Sequence, residues 1–398
     1  MKKIIFTLSL VSCSLALIAQ QKTVEEFYEL FEKQYAAMDE NRHAGKYEEA
    51  EKAALAIFEA YDQLSAEDLK EVNNMRPYVS YNQACAYALS GEAEKALQTL
   101  SRSIDEGYTN YYGTAHDEDF ASIRGNPEFQ KQLERIKEYD YLTVLQSARG
   151  YGKDTPQPEF TYQQPDAEAL RALREEFDLD RIAGNGDEVS QIKNLMSWVH
   201  NVVRHDGGSS NPSARNASAI IRVCREEDRG VNCRMMAIIL NECYLAMGFP
   251  SRYMTCLPKS STDPDCHVIN SVWSETLGKW LWMDPTFETW VTDDAGSLLS
   301  IQEVRERAIQ DLPLQINPAA NWNNENHNTK EMYLDGYMFK NLYWLECPAW
   351  STYDVETRSE GKTYSPYVRL CPSGFYGFGS IRNIYVTNDP DYFWQKPE

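Results

Sequence analysis

The chain has 398 residues, room for two or three domains, and 42% of them are hydrophobic, enough for real cores. Lys and Arg number 39 against 60 Asp and Glu, a net charge of −21, so neither a nucleic acid nor a basic contact with a membrane surface is expected. Nine cysteines in this length are too few for a disulfide scaffold.

Lys2 and Lys3 precede an apolar run from Ile4 to Ala19, and the first carboxylate is Glu25. That is the pattern of a secretory signal, and the run is shorter than the roughly 20 apolar residues of a membrane span. Residues 1–19 are therefore expected to be removed, leaving an exported protein, periplasmic or secreted, whose charge moves from −21 to −23 with the loss of the two lysines. Leu10-Val-Ser-Cys13 also resembles a bacterial lipobox, so a lipid anchor at Cys13 is the alternative.

Residues 20–147 read as helical. Thr23-Val-Glu-Glu26 is a capping box, and Phe27, Leu30, Phe31, Gln34 and Met38 follow at helical spacing. Gly45-Lys-Tyr-Glu-Glu-Ala50 and Gly91-Glu-Ala-Glu-Lys-Ala96 are alike, each placing Gly between two helical patterns and a small Ala where helices approach. With Tyr81-Asn-Gln-Ala-Cys85-Ala-Tyr-Ala88 ahead of it, the second resembles the tetratricopeptide repeat. The polar stretch around Ser65–Leu69 would be an insertion between repeats. Cys85 sits at a core position and reads as packing. Such a region either docks a protein partner or rigidly holds the next domain.

Gly150-Tyr-Gly-Lys-Asp-Thr-Pro156-Gln-Pro158 breaks periodicity, which marks residues 148–165 as a linker. The next domain, 166–312, opens with a charged helix near Asp166–Phe177. Its centre is Arg229-Gly230-Val-Asn-Cys233, followed by an almost all-round apolar run from Met235 to Met247 that Gly248 and Pro250 terminate. Cys233 therefore lies in the first turn of a buried helix, where free amides and the helix dipole favour a thiolate and can stabilise an oxyanion.

A thiolate needs a base, and the base an orienter. Cys266-His267-Val-Ile-Asn-Ser-Val-Trp273 alternates as a strand does, and Trp280-Leu-Trp-Met-Asp284-Pro-Thr286 follows after a turn near Glu275–Lys279. With the turn centred near 276, His267 and Asp284 fall opposite each other within about one residue, on one face.

Together these features resemble the transglutaminase-like superfamily, a variant of the papain-like cysteine protease core, from about Ile192 to Phe287. The resemblance implies that Cys233 is the nucleophile, His267 the base and Asp284 the orienter. It also implies an upstream side chain as second oxyanion donor, with Trp198, His205 and Asn211 as candidates. One departure is that Gly230 stands three residues before the cysteine, where the family commonly has glycine two before.

No HExxH or CxxC pair occurs, and His200 and His205 do not share a helix face, so no metal and no cofactor is expected. Neither GxxxxGK[ST] nor GxSxG occurs. In the aromatic-rich extension 313–398, Ser300-Ile-Gln-Glu303 having capped a helix to Ile309, Asn317–Asn328 reads as a loop. Met338–Leu345, Tyr367–Leu370 and Ile384–Thr387 read as strands that extend the sheet or wall its cleft, with the aromatics packing its edge. Cys224, Cys243, Cys256, Cys266, Cys347 and Cys371 are left for up to three disulfides.

The fold expected is α+β: helical repeats, then a papain- or transglutaminase-like helix on an antiparallel sheet. The function expected is a thiol enzyme acting on peptide or protein amides, hydrolytic (peptidase or amidase) or, with an amine acceptor, acyl-transferring. The competing class is a non-catalytic scaffold that binds a peptide or protein through the repeats.

Overall fold

The computed structural model describes residues 22–152, 157–263, 265–379 and 383–398. The expected signal segment, Cys13 and part of the expected linker lie outside them. The chain divides into two compact units, 1–138 and 139–398. Among the described residues no helix is long and apolar enough to cross a membrane.

In the first unit the Thr23–Glu26 capping box opens helix α1 (Val24–His43), which buries Phe27, Phe31 and Met38. Gly45, at φ 72°, turns the chain into α2 (Tyr47–Tyr61). Gly91, at φ 85°, does the same between α3 (Arg76–Leu89) and α4 (Ala93–Asp105). These left-handed positions suit glycine because it has no Cβ to clash. Ala50 and Ala96 are buried in the cores of the two hairpins. Between the two helical hairpins lie the short helix Asp68–Val72 and a turn of 3₁₀ helix to Met75, in the stretch that reads as an insertion. Cys85 is buried in the core of the second hairpin.

The second unit is organised on one six-stranded sheet. Its strands are β1 (Ser251–Leu257), β2 (His267–Ser274), β3 (Lys279–Met283), β4 (Trp344–Pro348), β5 (Tyr367–Leu370) and β6 (Ile384–Thr387), in the spatial order β6-β5-β4-β1-β2-β3. All pairs are antiparallel except β5–β6, which is parallel, so the sheet departs from the wholly antiparallel one expected. Both faces are covered, which is why every residue of β2 is buried. On one face Val268, Val272, Leu281 and Met283 pack under helices α5 (Glu188–Val202), α6 (Ala217–Glu226) and α7 (Cys233–Ala246). On the other, Ile269, Trp282, Leu345 and Val368 meet Ile301, Val304 and Phe339.

Residues 139–147 belong to this unit, since Leu145 is buried in its second core. The stretch read as linker holds a short strand, Thr161–Tyr162, paired with Trp350–Ser351. Met338–Leu345 is not a strand at its start: residues Glu331–Met338 form a π-helix, Phe339–Asn341 a helical turn, and β4 begins only at Trp344. Among the described residues all eight cysteines are free thiols, and none of the disulfides considered from the sequence is formed.

Candidate active site

Helix α7 is the positioning element. It buries all twelve residues from Met235 to Ala246, so truncating one of its large apolar side chains would cost about 2–5 kcal/mol. Asn232 caps it, its side chain accepting from the Met235 amide, and Cys233 is the first helical residue. Asn270 of β2 donates to the Ala237 carbonyl at 2.9 Å and ties helix to sheet. Cys233 itself is partly exposed.

Gly230 has a physical reason. A Cβ there would lie 2.8 Å from the Arg204 carbonyl oxygen and 2.7 Å from the Asp206 Cβ. Its absence lets residues 204–206 run alongside Val231, with Val231 donating to Arg204 O and Asp206 donating to Val231 O. The glycine thus lets His205 pair with Val231 beside Cys233.

The β2–β3 register pairs Asn270 with Met283, which puts Ile269 opposite Asp284 and His267 two residues further along. The offset is therefore two rather than the one at most expected. Being even, it keeps both side chains on one face as diagonal neighbours. His267 Nε2 lies 2.7 Å from Asp284 Oδ2, both groups fully buried. Asp284 Oδ1 accepts from the Thr286 amide at 2.8 Å and the Phe287 amide at 3.4 Å. Tyr333 donates to Oδ2 at 2.6 Å and accepts from the Trp282 indole at 3.1 Å. Phe287 and Tyr337 flank the His267 ring, with centroids 5.4 and 5.3 Å away.

With Nε2 engaged by Asp284, the other nitrogen of His267 is left for Cys233. Burial pushes the Cys233 thiol up, but hydrogen bonds with His205 and His267, the His267 charge and the Val268 amide bring it down to about 6. For His267 burial opposes the charged form, and the Asp284 carboxylate, followed by Cys233, raises the ring to about 10. These neighbours favour the charged form of both groups, thiolate on Cys233 and imidazolium on His267.

Of the three upstream candidates, only His205 reaches the sulfur. Trp198 packs on Phe177 at 5.4 Å, and Asn211 accepts from the cap residue Asn232 at 2.7 Å. His200 is tied to the Pro285 carbonyl and to Asn321 Oδ1, each at 3.0 Å. The contributions of Tyr333, Tyr337 and Trp322 are not legible in the sequence; the only signal was the aromatic richness of residues 313–398. Among the described residues one group has metal-ligand atoms close together, Cys85, Asp117 and Asp119 in the first unit. Its carboxylates are taken by Arg42 and Tyr81, so it reads as an ion-pair cluster.

Residues 178–285 match the family model of the transglutaminase-like superfamily, a stretch that ends one residue after Asp284. Over that stretch the chain resembles transglutaminase-like domains, and the match supports a thiol-enzyme fold. The chain is also similar to a solved structure described as a "Putative Cysteine Protease" from Cytophaga hutchinsonii, at 22% identity and a TM-score of 0.24. That similarity covers 40% of this chain and 49% of the other, so the chain spans about half that protein's length. No curated protein matches the chain.

Proposed function

We propose that the protein is an exported thiol hydrolase that opens amide bonds of peptides or proteins through Cys233, His267 and Asp284. The observation that carries this reading is His267, with one nitrogen 2.7 Å from Asp284 and its other side against a Cys233 thiol brought down to about 6.

The Cys233 thiolate attacks the amide carbon, and the carbonyl electron pair moves to oxygen. The amide of Cys233, ahead of the Met235 amide that Asn232 caps, receives that oxyanion at the start of α7, with His205 as the side-chain donor. Collapse expels the amine, which takes its proton from the His267 imidazolium and leaves a thioester on Cys233. Water then attacks the thioester, giving its proton to the now neutral His267. The acid leaves and the thiolate–imidazolium pair is restored. Asp284 keeps the ring in the orientation both transfers need.

Release of ammonia or amine from peptide amides tests the reading, with Cys233→Ala as control. Hydrolysis is expected whether or not a primary amine is added. Product joined to the added amine would make acyl transfer the reaction instead. Release that survives Cys233→Ala would overturn the proposal.

A further inference from the structure

The Asn-rich stretch that reads as a loop is a built hairpin, with Asn321–Trp322 paired to Asn326–His327. Its tip holds Asn323 and Asn324 at φ 53° and 58°, a left-handed conformation that asparagine tolerates better than most residues. That tip grips the segment leading to the nucleophile loop. Asn323 Oδ1 accepts from the His205 amide at 2.8 Å, and its Nδ2 donates to the His205 carbonyl at 3.0 Å. Asn324 Nδ2 donates to Asn201 Oδ1 at 3.0 Å. The backbone of His205 is thereby fixed on both sides.

The ring is fixed as well. Trp322 Nε1 lies 3.0 Å from His205 Nδ1. An indole N–H can only donate, so Nδ1 must present its lone pair. The proton of the neutral ring then sits on Nε2, the nitrogen left for the Cys233 side. The two histidines at the sulfur thus have different roles. His267 turns Nε2 to a carboxylate and can accept a proton at Nδ1. His205 has its lone pair occupied by Trp322 and can only donate at Nε2.

We propose that Trp322 is a positioning residue that sets His205 as the Nε2–H tautomer, making it a fixed hydrogen-bond donor rather than a second base. It donates to the sulfur at rest and to the carbonyl oxygen as negative charge develops there. This rests on the reading of Cys233 as nucleophile, but the tautomer itself does not.

Nitrogen NMR of the full chain, isotope-labelled at histidine and assigned with His205→Gln, tests it. In the wild type, His205 should show an unprotonated Nδ1 and a protonated Nε2. Trp322→Phe keeps the aromatic packing and removes the donor; Nδ1 should then take up the proton in part of the population. That variant's kcat should fall about tenfold or more with KM unchanged. A wild-type Nδ1–H would overturn the proposal even if Trp322→Phe does not fold. A full kcat in a folded Trp322→Phe would overturn it too. If alkylation of Cys233 ignores His267→Ala while the tautomer is as stated, it is the nucleophile reading that fails and not the Trp322 assignment.

Discussion

Tyr333 donates to Asp284 Oδ2 at 2.6 Å, the same oxygen that faces His267. The phenol is fixed in turn by the Trp282 indole, so a chain of hydrogen bonds runs Trp282, Tyr333, Asp284, His267 with no water-exposed member. The π-helix at Glu331–Met338 delivers this contact, and such helices recur at functional sites. Tyr333→Phe keeps the ring against Phe287, 5.2 Å away, and deletes only the hydroxyl. The expected result is about tenfold lower kcat at unchanged KM. The Trp282 N–H, left buried without an acceptor, should also cost about 1–3 kcal/mol of stability. Steady-state kinetics and thermal melting check both.

In the proposed mechanism the Cys233–His267 pair sets the pH dependence. Below about 6 the thiol is protonated and attack fails; above about 10 His267 is neutral and the leaving amine has no proton donor. Amide turnover should therefore be bell-shaped with a plateau between those limits. The two limbs belong to the pair as a unit. A rate profile still rising through pH 8 would contradict the depressed thiol.

Gly230→Ala should act on the site at a distance of three residues. The added methyl meets the Arg204 carbonyl at 2.8 Å, so the 204–206 segment must move off Val231 and carry His205 with it. The expected cost is about 1–3 kcal/mol of stability, with slower alkylation of Cys233. Melting temperature and labelling rate give the two readouts.

Arg252 is 1% exposed and, among the described residues, has no ion-pair partner. Its guanidinium lies over Phe160 at 4.4 Å, Trp280 at 4.5 Å, Phe393 at 5.3 Å and Trp394 at 5.6 Å, and it donates to the Phe393 carbonyl at 3.0 Å. A buried charge held by ring faces, one carbonyl and the Cys347 sulfur ties the C-terminal residues 390–394 to the sheet. Arg252→Ala should lower stability by about 3 kcal/mol or more and open the C-terminus to proteolysis. Unchanged melting would contradict the tie.

The placement of Cys233 at a helix start and of His267 beside Asp284 was legible because each depends on local pattern. A capped apolar helix, an alternating strand and a short hairpin bring the last two together across 17 positions. The register expectation was off by a residue, yet the even offset left the face unchanged. Tyr333 and Trp322 reach Asp284 and His205 across 49 and 117 positions, and no local periodicity encodes which distant loop folds over a site. The Met338–Leu345 expectation erred for a related reason. A short run rich in aromatic and apolar residues does not distinguish a strand from a buried helical turn. The helical hairpins of the first unit were visible at Gly45 and Gly91, where the turn itself demands the residue.

Iodoacetamide labelling of Cys233 across pH, in the wild type and in His267→Ala, tests the proposed triad most directly. The wild type should label with an apparent pKa of about 6. In His267→Ala that value should return toward the ordinary thiol range of about 8.5, with labelling near pH 7 slowed about tenfold or more. Equal rates and the same pH dependence in the two proteins would contradict it.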